Sequence, residues 1–232
     1  MLTPIGPGVQ VGYAEYSNPG PLTIHNGKIM ENAQRLVVGI SGASGVIYGV
    51  RLLELLRSLP VETHLVMSRA GEVTVAHETT LKVAQVQALA HQCHPIADIA
   101  ASISSGSFKT MGMIVAPCSI RTMSEIASGV TSSLLTRAAD VTLKERRRLV
   151  LMVRETPFHV GHLRTMTALA EMGAIIAPPV PAFYSRPESI EEMIDHSLSR
   201  VLDLFGLETG KLRRWGEDSP ETPRRLRRNE PG

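Results

Sequence analysis

A turn of glycine and serine follows an apolar run near residue 35, and it is the part of the chain best suited to chemistry. Residues 35–49 read RLVVGISGASGVIYG, with the spacing G-x-x-G-x-x-G at Gly39, Gly42 and Gly45. The first N–H groups of a helix lack intrahelical partners and lie at the positive end of its dipole, so such a turn can hold a phosphate. The spacing is neither the dinucleotide G-x-G-x-x-G nor a P-loop, which favours a mononucleotide such as FMN over NAD or ATP. A purely structural tight turn explains the same glycines equally well.

The elements that must hold this turn are predicted from the alternation of apolar runs with helical periodicity after residue 35. Strands are predicted at LVVGI, THLVM, GMIVA, LVLMV and AIIAP. Helices are predicted over about 46–58, 133–146, 159–171 and 190–205. Two more are predicted with one bound each, a helix that ends at 78 and a helix that begins after 117. This alternation produces right-handed βαβ crossovers and a parallel sheet that is covered on both faces. The predicted fold class is therefore α/β.

The two ends of the chain differ in composition from this middle part. Residues 1–34 carry repeated glycine and proline with weak periodicity, which predicts an extended or disordered arm outside the fold. Residues 35–209 form the predicted α/β domain. Residues 210–232 form a basic tail that contains Trp215, and its mixture of Arg, Pro and Glu is typical of a solvated segment.

Composition also limits the classes of function. A formal charge of +2 from nearly balanced acids and bases gives no reason to expect a nucleic-acid partner. No apolar run approaches the roughly 20 residues that span a bilayer, and no secretory signal pattern opens the chain. Cys93 and Cys118 are the only cysteines, which implies no disulfide framework. We therefore expect a cytoplasmic protein without a membrane span.

Chemically useful side chains follow several of the predicted strands. Ligands of parallel α/β sheets bind outside the carboxyl ends of the strands, so the residues that follow each apolar run form the expected pocket edge. Taken singly, each of these side chains can also have a purely structural role. Ser68 is a typical turn serine, and Glu155 is placed to form an ion pair with Arg154. The residues at this edge are 41–45, Ser68, 117–119, Arg154, Glu155 and Tyr184.

With these residues in view, the chain resembles the UbiX/Pad-type flavin prenyltransferases over residues 35–215. The resemblance rests on blocks that stand in the family's order: GISGASGVIYGVRLL, VETHLVMS, HET, ASISSGSFKT, APCSIRTMS, TRAADVTLKERR, VRETPFHVGHLR, PPVPAFYSRP and RRWGE. It implies a flavodoxin-like (Rossmann-like) three-layer sandwich with a parallel sheet. It also implies a large homo-oligomer such as a dodecamer.

The resemblance further implies a reaction and a partner. The family attaches a dimethylallyl group from dimethylallyl phosphate to reduced FMN, without a metal, and the prenylated flavin serves a UbiD-type decarboxylase. The sequence contains no H-E-x-x-H, no Cys-x-x-Cys and no Asp-rich cluster of the kind that Mg-dependent prenyl diphosphate enzymes use. The family assignment leaves the pathway open, whether ubiquinone biosynthesis or another decarboxylation.

Carried over residue by residue, the resemblance implies an FMN site of backbone donors, hydroxyls and one arginine. These groups suit a phosphate and the polar rim of a flavin, and the guanidinium of Arg154 offers a planar fork of donors. The implied FMN-binding residues are Gly42, Ala43, Ser44, Ser68, Ser119, Ile120, Arg121, Thr122 and Arg154.

The prenyl-phosphate side and the catalytic groups are implied in the same way. The resemblance assigns the donor to Lys144, Tyr184, Arg200 and Trp215, and it assigns catalysis to Glu155 and Glu78. A carboxyl group in an enclosed pocket can act as a general acid or base. From the residues alone, Lys144 and Arg200 are equally typical of solvated helix surfaces, and a lone tryptophan is usually a packing residue.

Three positions depart from the family pattern, and two other functions remain open. Ser132 stands where Asp or Asn is more frequent, Arg121 where Lys is common, and Glu125 is bulkier than its usual counterpart. One alternative is an FMN-dependent cysteine decarboxylase, although PCSIRT stands where a PASANT-like segment is expected. The other is an FMN carrier without catalysis, which would not need the prenyl-phosphate residues.

Overall fold

Six parallel strands form the main sheet in the part of the chain that the structure describes. The computed structural model describes residues 23–25, 28–30, 34–212 and 214. The strands are β3 (Gln34–Ile40), β4 (Val61–Met67), β5 (Gln92–His94), β6 (Gly112–Cys118), β7 (Arg148–Val153) and β8 (Ile175–Ile176). They lie in the order β5-β4-β3-β6-β7-β8, and every neighbouring pair is parallel. The predicted parallel sheet is confirmed.

A short antiparallel pair precedes the sheet and belongs to a separate unit of the chain. The units are Met1–Asn32 and Ala33–Gly232. In the first unit, β1 (Thr23–His25) pairs with β2 (Lys28–Met30), so that Thr23 lies opposite Met30. The pair falls within the segment for which an arm was predicted.

Helices connect the strands at the predicted places. For the four helices that were predicted with both bounds, each observed end lies within two residues of the predicted one. An additional short helix, α3, and strand β5 were not predicted, because they have only five and three residues and the residues of β5 form no apolar run. Among the described residues no helix is both long enough and apolar enough to cross a membrane. The helices are α1 (Ile47–Leu56), α2 (Arg69–Glu78), α3 (Val83–Gln87), α4 (Ile120–Ala127), α5 (Leu134–Lys144), α6 (Val160–Glu171) and α7 (Ile190–Asp203).

The core consists of two apolar clusters, one on each face of the sheet. Alternate residues of β3 point to opposite faces, so Leu36 packs in one cluster and Val37 in the other. Helices α1 and α7 cover the first face through residues such as Leu53 and Leu198. Helices α4, α5 and α6 cover the second face, where Leu135 is fully buried. The result is a three-layer sandwich that leaves the strand ends available for a site.

A buried polar network joins β3, β4 and β5. The carboxylate of Glu62 accepts a hydrogen bond from Arg35 Nε at 3.1 Å and lies 3.2 Å from His64 Nε2. On the other side of the ring, His64 Nδ1 lies 3.0 Å from Nε2 of His94. Burial lowers the pKa of His64 to about 4, although the neighbouring Glu62 carboxylate acts in the opposite direction. The folded protein therefore disfavours a proton that the unfolded chain takes up readily.

This network should make stability depend on pH in the acid range. Because the pKa of His64 falls from 6.5 to about 4 on folding, its contribution is complete above pH 6.5 and is lost as the pH falls toward 4. The loss should reach about 3 kcal/mol in the free energy of unfolding, at 1.36 kcal/mol per pKa unit. Urea titrations at pH 7 and pH 4.5 would measure it. His64→Gln should be less sensitive to pH over this interval, and an unchanged pH dependence in that variant would contradict the assignment.

Candidate functional site

The site lies where the order of the strands changes direction. After β3 the chain adds β4 and β5 on one side, and then crosses to add β6 on the other side. In such sheets a crevice forms at the carboxyl ends of two neighbouring strands whose connections leave in opposite directions, and ligands usually bind there. In this protein the two strands are β3 and β6. The glycine turn follows β3, and the segment that begins with Ser119 follows β6.

Ser41 holds the two sides of this crevice together. Its hydroxyl donates to the carbonyl of Pro117 at 2.9 Å and accepts from the N–H of Ser119 at 2.8 Å. Ser41 is fully buried, so both hydrogen bonds are shielded from water. Sequence reasoning placed Ser41 at a strand end but did not include it in the site. Its position directly after β3 was the only signal, and its bonding partner lies 76 residues away.

The glycine turn is tightly packed against the start of α2. A Cβ atom placed on Gly42 would lie 2.2 Å from the Cβ of Ala70, so no larger residue fits there without movement. Gly45 has a φ of +93°, a conformation that side chains disfavour. Both glycines are therefore required by the shape of the turn, which keeps its backbone exposed to the crevice.

The carboxylate of Glu78 binds the backbone donors of this turn. Its Oε2 accepts from the N–H of Gly45 at 2.8 Å and from that of Val46 at 3.0 Å, and Ser44 adds a side-chain hydrogen bond. Partial burial by itself would raise the pKa of Glu78, but these hydrogen bonds and the charge of Arg154 outweigh it, so the pKa lies below its ordinary value. Two backbone N–H groups that the sequence predicted as phosphate donors, those of Gly45 and Val46, are thus already bonded to the carboxylate of Glu78.

Two further helices begin at the same edge of the sheet. Ser68 caps α2 by accepting from the N–H of Gly71 at 3.0 Å, and Ser119 caps α4 by accepting from the N–H of Thr122 at 3.2 Å. Both serines thereby fulfil the structural role that turn serines usually have. Because α1, α2 and α4 all start here, the positive ends of three helix dipoles lie at the edge where an anion is expected.

Arg154 and Glu155 follow β7 on the adjacent side of β6. The N–H of Arg154 donates to the carbonyl of Cys118 at 3.0 Å, which fixes this backbone to the end of β6. The side chain of Glu155 accepts from the N–H of Thr156 at 2.9 Å, and both residues are exposed. No ion pair between Arg154 and Glu155 forms among the described residues.

The first turn of α4 contains the remaining predicted FMN-binding residues. Ile120 is half-buried and Thr122 is buried, whereas Arg121 extends into solvent. Arg121 Nε donates to Glu125 at 2.8 Å, and the hydroxyl of Ser132 donates to the same carboxylate at 3.4 Å. The three positions that depart from the family pattern are therefore in contact, and the larger Glu125 supplies a carboxylate beside Ser132.

Tyr184 lies beyond β8, at the outer end of the same edge. It forms part of a short 3₁₀ helix, Phe183–Ser185, and its ring packs edge-on against His196 with centroids 5.5 Å apart. Its hydroxyl lies 3.5 Å from Nε2 of His196. The side chain is 45% exposed, so part of it remains available for other contacts.

Lys144, in contrast, lies at the opposite edge of the sheet. It ends α5, and a Cβ atom placed on Gly106 would lie 2.8 Å from its Nζ. The carbonyls of Gly106 and Phe108 both accept from Arg147, and the ring of Phe108 packs against the guanidinium of Arg35. Arg35 stands near the start of β3, so Lys144 lies at the amino ends of the strands.

Arg200 lies toward the same amino edge. It stands in the last turn of α7, and Phe205, just beyond that helix, packs against Gly112 at the start of β6 and against the guanidinium of Arg148 at the start of β7. A seven-residue strand such as β6 spans roughly 20 Å, which separates this edge from the crevice. One protomer therefore does not bring Lys144 and Arg200 to the glycine turn. Trp215 lies outside the described residues.

The parallel sheet and the crevice lined with anion-binding groups are typical of nucleotide-binding proteins, and comparison with known proteins specifies the class as flavoprotein. The family model described as Flavoprotein matches residues 25–201. Within this class, the chain belongs to the UbiX family of flavin prenyltransferases. The flavin prenyltransferase UbiX of Escherichia coli strain K12 is 61% identical over 175 residues, which cover 75% of this chain and 93% of the relative.

Solved structures give the same assignment. AnUbiX (PadA1), solved in complex with FMN and dimethylallyl pyrophosphate, is 52% identical with a TM-score of 0.78, and the match covers 79% of this chain and 98% of that one. A dodecameric FMN-dependent Ubix-like decarboxylase from Escherichia coli O157:H7 is 51% identical with a TM-score of 0.77, and the match covers 78% of this chain and 99% of that one. The family resemblance and the flavodoxin-like fold predicted from the sequence are confirmed.

Proposed function

We propose that this protein transfers a dimethylallyl group from dimethylallyl phosphate to reduced FMN, with release of phosphate. The observation that carries the proposal is the crevice bridged by Ser41, where the glycine turn, the capped start of α4 and Arg154 meet at one strand edge. These groups suit the phosphate and polar rim of a mononucleotide. Membership of the flavin prenyltransferases supplies the reaction, and we infer that a UbiD-type decarboxylase receives the product.

The residues of the crevice fit FMN. Because Glu78 already binds the N–H groups of Gly45 and Val46, the start of α1 has little capacity left for a phosphate. The starts of α2 and α4 remain, so we assign the FMN phosphate to the region of Ser68 and Ser119. The predicted contacts of the flavin with Gly42, Ala43, Ser44, Ile120, Arg121, Thr122 and Arg154 remain part of the proposal.

The chain's own residues have distinct tasks in this reaction. Bound FMN supplies the ring positions that accept the prenyl group. Glu155 is exposed at the end of β7 and, among the described residues, is bonded only to a neighbouring N–H, so its carboxylate is placed to take up the proton that the flavin ring system loses as the new bond forms. Glu78 stays an anion because its pKa is low, and it can stabilise positive charge near the turn. Arg154 contributes a positive charge at the same carboxyl edge of the sheet.

The donor site requires more than one protomer. Lys144 and Arg200 provide the positive charge that a leaving phosphate needs, yet they lie a strand length away from the glycine turn of their own chain. In a closed homo-oligomer, the amino edge of one protomer can adjoin the carboxyl edge of another. We therefore propose that neighbouring protomers complete each site, and the dodecameric relative supports an assembly of that kind.

The cysteines support a proposal for the location of the protein. Cys93 and Cys118 are both free thiols, and Cys93 is exposed, which suits a reducing compartment. We propose that the protein works in the cytoplasm.

Anaerobic incubation of the purified protein with reduced FMN and dimethylallyl phosphate tests the activity directly. We expect the released flavin to gain the mass of one dimethylallyl unit, and parallel reactions with the pyrophosphate would identify the preferred donor. Reactions without donor provide the blank. Flavin that stays bound but unmodified with either donor would refute the transferase and favour a carrier or a cysteine decarboxylase.

A further inference from the structure

Residues 204–212 and 214, which follow α7, fold back onto that helix, and three polar contacts among the described residues hold this segment. The hydroxyl of Ser199 lies 2.6 Å from that of Thr209, and Asp195 pairs with Lys211. Asp203 pairs with Arg214, which directly precedes Trp215 in the sequence.

The carboxylate of Asp203 binds two arginines at once. Its Oδ2 accepts from Nη1 of Arg200 at 3.1 Å and from Nη1 of Arg214 at 3.2 Å. Its Oδ1 accepts from Nη2 of Arg214 at 2.7 Å. The hydrogen bond from Arg214 is the main cause that lowers the pKa of Asp203, so the group stays charged at neutral pH. Two guanidinium groups are therefore held side by side on one anion.

This arrangement holds the side chain of Arg200 and leaves some of its N–H groups available to a ligand. Arg200 bonds through one nitrogen, and among the described residues its Nε and Nη2 make no other hydrogen bond. A guanidinium can bind a phosphate through the remaining pair of N–H groups. Without the carboxylate, Arg200 and Arg214 would repel each other, and the long side chain of Arg200 would regain its rotamer freedom.

We propose that Asp203 is a positioning residue for the prenyl-phosphate site. It holds Arg200 in one orientation toward the donor phosphate and ties it to the segment that ends at Arg214. The inference rests on the proposed role of Arg200 as a ligand of that phosphate. In this proposal Asp203 acts through Arg200 and not through a contact of its own with either substrate.

The test is the steady-state kinetics of Asp203→Asn with saturating reduced FMN and varied dimethylallyl phosphate. We expect KM for the donor to rise about fivefold, the equivalent of one surface ion pair, with little change in kcat. FMN affinity and the melting temperature should stay close to those of the unsubstituted protein, and Asp203→Glu should restore most of the lost affinity. Glu54→Gln, which removes another i,i+3 ion pair with an arginine, is the matched control and should leave KM unchanged.

A double variant separates positioning from a general structural effect. In the Arg200→Gln background, Asp203→Asn should cause no further rise in KM, because the side chain that it positions is gone. A rise that persists in that background, an unchanged KM in Asp203→Asn, or a lowered KM would each overturn the inference. If Arg200→Gln alone leaves KM unchanged, the proposed role of Arg200 fails, and the inference fails with it. If Arg200→Gln alone raises KM and Asp203→Asn does not, only the inference fails.

Discussion

Replacing Glu155 with glutamine is expected to lower kcat for prenyl transfer by about 10²- to 10⁴-fold, the contribution that a positioned acid or base typically makes. Glutamine has nearly the same shape and can still accept the hydrogen bond from the N–H of Thr156. It cannot take up a proton at neutral pH. The backbone at the end of β7 should therefore be preserved while the proton transfer is lost.

Anaerobic single-turnover reactions with reduced FMN would measure this effect on the chemical step. FMN affinity should change little, since the assigned flavin contacts on this strand end belong to Arg154. Glu171→Gln, an exposed glutamate at the end of α6, is the matched control. A Glu155→Gln variant that transfers the prenyl group at nearly the normal rate would remove Glu155 from the mechanism.

Mixing two inactive variants should restore activity if each site is shared between protomers. Lys144→Gln removes a cation from the amino edge, and Glu155→Gln removes a carboxylate from the carboxyl edge. When the two variants co-assemble in equal amounts, a site that takes Lys144 from one chain and Glu155 from another is intact in about a quarter of cases, given random mixing in a closed oligomer. About a quarter of the normal rate should therefore return.

Co-expression with two different affinity tags, followed by sequential purification, would yield the mixed oligomers for this measurement. The control mixture combines Glu155→Gln with Glu78→Gln. Both of these residues serve the carboxyl edge of one chain, so every site stays defective and no activity should return. Recovery in the control, or none in the first mixture, would contradict a donor site that is divided between protomers.

Local patterns in the sequence were sufficient to predict most of the fold. Apolar runs predicted the central strands, because strands buried on both faces, such as β6 and most of β7, are continuous hydrophobic segments. The same rule could not find β5 (Gln92–His94), because Gln92 and Cys93 are exposed and His94 is only partly buried. That strand is fixed by its register beside β4 and by the contact of His94 with His64, which are tertiary effects.

The site residues that directly follow a strand could be predicted from the sequence. Ser68 and Ser119 were predicted at strand ends, and the structure shows that each caps the helix that follows its strand. The contact of Glu78 with the glycine turn joins residues 33 positions apart and has no local signal. The position of Lys144 did have a signal: a helix between two parallel strands runs back to their amino ends, so a residue at the end of α5 cannot lie at the carboxyl edge.

The internal pairing of Glu78 with the turn has a consequence for handling the protein. Because the N–H groups of Gly45 and Val46 are already satisfied, removal of the flavin leaves no unmet donors at those two positions to destabilise the loop. The glycine turn therefore does not need the flavin to satisfy these two donors, and we expect that the degree of flavin saturation does not report the fraction of correctly folded molecules. A colourless preparation is expected to be native apoprotein that is competent to be reconstituted.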